Sequence, residues 1–204
     1  MVQRRGLMTA VAVVAAALVI GTPILAQQAA APQDPTAKDP IRFSAFGVSM
    51  QAGISGEIEI AIERWTSDDE RTMLLNTMGQ GGQNALLNAL QGIKVRTGFI
   101  RTPNSLGYDL RYCRDNVLPD GSRQIVIATD KPVSFMAAAT NARTMDYPFT
   151  IVEMRFAKDS LKGEGKLLAG TALSVKNGRL ELENYGQEPV RLTTITQKVD
   201  KKKK

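Results

Sequence analysis

The chain has 204 residues, a formal net charge of +6, one cysteine and no histidine. The lack of histidine removes serine–histidine and cysteine–histidine catalysis and histidine-built zinc, copper and non-haem iron sites. A single thiol builds neither a cysteine zinc site nor an internal disulfide. Arg4 and Arg5 supply two of the positive charges and the tail KVDKKKK a net four, so the body between them is neutral, unlike the extended basic face of a nucleic-acid binder.

Arg4 and Arg5 precede an uncharged apolar run from Leu7 to Ile20, which Gly21, Thr22 and Pro23 close. This is the order of a cleavable secretory signal over residues 1–26, and the run is shorter than the roughly 20 apolar residues a spanning helix needs. Cleavage after Ala26 or after Ala31 leaves acceptable residues at the recognition positions. The mature protein is therefore expected to begin within residues 27–32, to be periplasmic or extracellular, and to keep no stable transmembrane span. Cys113 lies far from the junction, so no lipid is expected there. Residues 27–40 (QQAAAPQDPTAKDP) lack an apolar period and read as a disordered linker. A single antiparallel β domain over 41–197 and a lysine-rich, solubilising tail over 198–204 follow.

IRFSAFGVSM opens the domain with Phe43, Phe46 and Val48 in a short apolar run. After a turn at Gly53 and Gly56, EIEIAIERW sets Ile58, Ile60 and Ile62 on one face and Glu57, Glu59 and Glu63 on the other, as a half-buried strand does. Ser67 and Glu70 form a capping-box signature, with Met73, Leu74 and Met78 near helical spacing. The glycines from 79 to 82 break this helix, and Asn84 to Leu90 resume it, a pair expected to act as a lid or plug at an open edge or end of the sheet.

From Ile93 the pattern is β again. IKVRTGFIR reads as one strand, and LGYDLRYCR as another with Tyr108, Leu110 and Tyr112 on one face. Pro119-Asp120-Gly121 turns the chain into RQIVIATD; a long loop from Lys131 to Tyr147 leads to PFTIVEMRF. GKLLAGTALSV reads as one strand, joined through Asn177-Gly178, a strong hairpin signal, to RLELENY; VRLTTIT ends the domain. The fold class is thus mainly β: an antiparallel meander of about nine strands, barrel-like or a sandwich, with a short helical insert after the second strand. Consecutive strands favour the barrel.

Asp68, Asp69 and Glu70 stabilise a helix start. Asp109 and Glu153, beside Arg111 and Arg155, form an acid–base pair only if they share an interior; otherwise they are cross-strand ion pairs on a solvated face. The glycines from 79 to 82 lack the residues of a phosphate loop. The scattered Met73, Met78, Met136, Met145 and Met154 read as core filling, and Cys113 as a small, half-buried core residue. No cofactor and no metal is expected.

The segments NSLGYDLRYCR, LPDGSRQIVIATDKP, RTMDYPFTIVEMRF and GEGKLL followed by LELENYGQEPVRL resemble a group of uncharacterised exported bacterial proteins with no assigned activity. The resemblance covers roughly the last half of the chain; it implies bacterial export and carries over no site residue. Within those segments Tyr108, Arg111, Tyr112, Arg143, Asp146 and Tyr147 make a polar-aromatic set of the kind found in ligand sites. The expected function is non-enzymatic binding of a small or amphipathic ligand, or of an envelope component, in or beside the barrel. The alternatives are an interaction module without a cavity and a carboxylate-dependent hydrolase.

Overall fold

The computed structural model describes residues 35–103, 105–131, 133, 149–169, 172–176, 179–183 and 188–199. Alternating sequence produces β1 (Ile41–Ser49) and β2 (Ile54–Ile62), in register so that Phe43 faces Ile60 and Ala45 faces Ile58. Then come α1 (Asp68–Gly92), β3 (Gly98–Arg101), β4 (Tyr108–Leu110), β5 (Tyr112–Val117), β6 (Arg123–Thr129), β7 (Thr150–Phe156), β8 (Lys162–Ala169), β9 (Ala172–Lys176), β10 (Arg179–Glu183) and β11 (Val190–Lys198). Nine strands form one sheet in the order β4-β3-β2-β1-β11-β8-β7-β6-β5, and every neighbouring pair is antiparallel. β9 and β10 form a separate ribbon in which Lys176 faces Arg179. The Asn177-Gly178 turn expected between them lies outside the described residues.

The two edge strands of the large sheet, β4 and β5, are neighbours in sequence with only Arg111 between them. The Arg111 amide donates to the Ala128 carbonyl of β6 at 2.9 Å, so the chain leaves one edge and joins the other within a residue. The stretch after β2 fills the remaining seam. Glu63 and Arg64 amides donate to Thr97 O, while the Thr66 amide donates to Cys113 O and Thr66 Oγ1 accepts from the Cys113 amide. The sheet is therefore a nearly closed barrel, and the barrel alternative is the one the protein adopts.

Closure turns one face of the nine-stranded sheet inward. Phe43, Ile60, Ile100, Ile127, Met154 and Leu167 are each at most 1 % exposed and belong to one apolar cluster. Filling by side chains is what about eight strands allow, because that number leaves an interior only wide enough for them. Phe43 and Phe156 meet with ring centroids 5.6 Å apart. Their space depends on β8, where Gly163 faces Phe156 and Gly165 faces Met154. A Cβ on Gly163 would stand 2.8 Å from the Phe156 ring, and one on Gly165 3.0 Å from Ile195 Cδ1, besides colliding with β7 carbonyls.

The insert forms after β2, with Ser67 and Glu70 closing the expected capping box. The glycine run breaks it at Gly82, whose φ of 67° only glycine adopts without cost. Its position differs from the lid or plug expected. Leu74, Met78, Leu86 and Leu90 pack on Phe149 and Ile151, with Val126 and Ala128 alongside, on the outer wall of β6 and β7. Those strands are apolar on both faces, so a helix must cover the outside.

Three further expectations are corrected. Ile93 to Thr97 is not strand; β3 begins at Gly98. The segment 165–175 is divided between β8 and β9, which belong to different sheets. Tyr112 does not share a face with Tyr108 and Leu110. Arg111 adds one residue to the alternation, so Leu110 and Cys113 point inward while Tyr112 packs toward the helix.

Replacing Gly165 with valine is expected to destabilise the protein by about 2 kcal/mol, the scale of overpacking a filled core. A lower urea midpoint with an unchanged slope would register the loss; an unaltered midpoint would mean that the interior has room to spare.

Candidate functional site

The polar-aromatic set expected to bind a ligand is not brought together by the described residues. Tyr108 packs against the barrel core, and Tyr112 against the helix side of the wall. Burial pushes the Tyr112 phenol above its ordinary range, against the opposing charge of Arg71 and Arg114. Arg111 donates from Nη1 to Ile93 O at 3.0 Å and stands 3.5 Å from Asp109 and 3.6 Å from Asp130, the position of a brace across the seam. Arg143, Asp146 and Tyr147 lie outside the described residues.

The carboxylates do not form an acid–base pair. Asp109 faces Arg96 and Arg111, whereas Glu153 sits on β7, which is not a neighbour of β4. Glu153 accepts from Gln124 Nε2 at 2.7 Å, Arg155 Nε at 2.7 Å and Lys166 Nζ at 3.0 Å. Lys166 is its direct cross-strand partner. Burial works to raise its pKa, but the donors from Gln124, Lys166 and Arg155 outweigh it and hold the carboxyl down at about 2. A group so held stays ionised and transfers no proton near neutral pH. Cys113 is fully buried rather than half-buried, with Thr97 Oγ1 3.2 Å from its sulfur. Burial pushes its thiol up to about 12, so it is not a nucleophile at neutral pH. Met154 fills the barrel core and Met78 the helix–wall contact, while Met73 is exposed and Met136 and Met145 lie outside the described residues. Among the described residues, no three acidic or cysteine side chains are placed to hold a metal ion. No described helix is long and apolar enough to cross a membrane.

The outer wall instead carries a groove of about 670 Å³, lined by Ser44 and Phe46 of β1, Glu57 and Glu59 of β2, Arg101, Thr102, Pro103 and Ser105, and Thr194 and Lys198 of β11. Its floor is made by an irregularity. On β8, Leu192 faces Gly165 and Ile195 faces Gly163; on β1, Thr193 faces Phe46 and Thr196 faces Ser44. β11 thus carries one extra residue relative to both neighbours, a β-bulge at Thr194. Thr194 has φ 54°, a left-handed conformation that costs a β-branched residue about 1–2 kcal/mol. Thr193 Oγ1 donates to Phe46 O at 3.2 Å, which ties the bulge to β1.

One side of the groove is rigid. Glu59 accepts from Arg42 Nη1 at 2.9 Å and from Arg101 Nε at 2.8 Å. Burial raises its pKa, but the hydrogen bond and charge of Arg101, then those of Arg42, prevail and keep it below the ordinary range. Arg101 and Arg96 both lie over the Phe99 ring, at 5.3 and 5.5 Å, and Arg96 continues the network through two bonds to Glu63. Two carboxylates and two cations line the groove, together with the hydroxyls of Ser44, Thr102, Ser105 and Thr194 and one aromatic ring. Such fixed hydrogen-bonding groups around one ring are the kind of lining that can orient a polar ligand.

The groove has a faint signal in the sequence. Val190 and Leu192 are two apart, but the next inward residue, Ile195, is three further on. That step is the mark of an extra residue in a strand. Comparison with protein-family models, curated proteins and solved structures gives no match for this chain.

The Glu153 cluster has a pH signature. Its depressed pKa contributes stability that is fully present above the ordinary carboxylate value of 4.5 and lost as pH falls through about 2. Glu153→Gln is expected to lower stability at pH 7 and to flatten the fall between those values. A variant whose stability follows the parent at every pH would refute the cluster's contribution.

Proposed function

We propose that this protein is an exported, non-enzymatic β domain that binds a small or amphipathic ligand of the cell envelope, on the outside of its barrel. The observation that carries this reading is the contrast between a filled interior and the groove beside β1, β2 and β11. Core side chains occupy the space where an interior ligand would sit, whereas the groove offers fixed hydrogen-bonding groups around one exposed ring, Phe46. Export is supported by the charged, apolar, breaker order of residues 1–26. Binding without chemistry is supported by the lining, in which Glu59 is held by Arg101 and the uncharged polar side chains are hydroxyls.

Native mass spectrometry of protein purified from the envelope fraction tests both parts. The expected mass corresponds to a start within residues 27–32 and includes a co-purifying small molecule. Phe46→Ala with Arg101→Ala is expected to weaken retention by roughly tenfold, about 1.4 kcal/mol, while the fold survives, since exposed ion pairs contribute little to stability. Retention unchanged in that variant would move the site away from the groove.

A further inference from the structure

The end of the barrel at which the chain enters β1 and leaves β11 differs from the rest of the surface. Arg42 faces Lys198 across the two strands, so the segment before Ile41 and the segment after Lys198 depart side by side. Two turns meet there: residues 118–122 between β5 and β6, and residues 157–161 between β7 and β8. The Gln197 amide donates to Leu161 O at 2.8 Å, Arg123 Nη1 donates to Gln197 Oε1 at 3.2 Å, and a Cβ on Gly121 would lie 3.1 Å from the Lys158 chain. These contacts make the strand end and the two turns one surface.

Its chemistry combines two properties. Val117, Leu161 and Val199 expose 68, 46 and 64 % of their surface, three of the eight exposed large hydrophobics among the described residues. Lys158, Lys162 and Lys198 are exposed on the same surface, and none has an acidic partner among the described residues. Elsewhere on the surface Arg42, Arg64, Arg96, Arg101, Arg114 and Arg155 each stand in an ion pair, Arg42 and Arg101 sharing Glu59. Asp120 and Asp159 on the two turns oppose the lysines, and Ser122 already occupies Asp120 through two hydrogen bonds. In the sequence, four more lysines, 201–204, follow with only Asp200 among them.

We propose that this end of the barrel docks on an anionic phospholipid bilayer, its lysines facing the headgroups and Val117, Leu161 and Val199 reaching the interface. Charge complementarity selects the bilayer: a cluster of lysines with few acids attracts an anionic lipid surface, and apolar side chains among them add what a purely electrostatic contact lacks. Lys198 also lines one end of the groove, whereas Lys158 and Lys162 lie outside it.

Co-sedimentation of the protein beginning within residues 27–32 and retaining the lysine tail, with vesicles of one part phosphatidylglycerol to two parts phosphatidylcholine, tests the proposal. Binding is expected, with release as salt rises from about 0.1 to 1 M and the screening length shrinks from about 10 to 3 Å. The triple variant Lys158→Gln, Lys162→Gln, Lys198→Gln should bind roughly a hundredfold more weakly. Val117→Ser with Leu161→Ser should also weaken binding, and Arg191→Gln, at the opposite end of β11, should not. Thermal unfolding of each variant separates lost docking from lost fold. Equal binding to pure phosphatidylcholine, no binding to the anionic vesicles, or full binding by the folded triple variant would each overturn the proposal.

Discussion

Arg111 separates two strands that stand at opposite ends of the sheet order, and its amide is already bonded to β6. The polypeptide thus runs continuously from the β4 edge to the β5 edge, and the sheet curls until the two meet. Antiparallel sheets without such closure leave a row of unpaired amides and carbonyls as a template for other chains. Here the seam is also bridged by the stretch from Glu63 to Thr66 and braced by the Arg111 guanidinium on Ile93 O. The buried Cys113 and Thr97 sit directly behind that seam, where their role is packing.

Closure determines where function has room. Inward faces from all the strands of a barrel this narrow fill it, and each fully buried isoleucine or phenylalanine contributes about 1.5–3 kcal/mol by leaving water. The apolar outer face of β6 and β7 is taken by α1. Among the described residues, the wall around β1, β2 and β11 and the end where β11 leaves the sheet are not covered by this helix. The wall gains its groove from a bulge at a strained threonine, and backbone strain of this kind is where a hypothesis of function has a physical basis. One end gains unpaired lysines among exposed apolar groups. The proposed ligand site and the proposed membrane surface thus occupy regions that the core does not need.

The fold was legible where each strand reads by itself. The isoleucines of β2, the capping box at Ser67 and the turn at Pro119-Asp120-Gly121 each carry their signal within a few residues. What escaped depends on counting across strands. Leu110 to Cys113 and Leu192 to Ile195 both step by three where alternation steps by two, and those two places are the barrel's seam and the groove's bulge. The run IVIA in β6 and the apolar start of β7 also announced a covered outer face, but not which element covers it. Of the candidate site, Tyr108, Arg111 and Tyr112 lie within five residues of sequence, but the joint at Arg111 sends them into three different surroundings. The ion pairs of the groove link β1, β2 and β3 and have no local signature.

Native-state hydrogen exchange at the Arg111 and Cys113 amides measures the closure itself. If the sheet closes as described, both amides open only with global unfolding and exchange with the same free energy as core amides such as those of Ile60 and Ile127. Fast exchange at Arg111 and Cys113 with Ile60 and Ile127 still protected would contradict the account, because the two edges would then part without unfolding the rest.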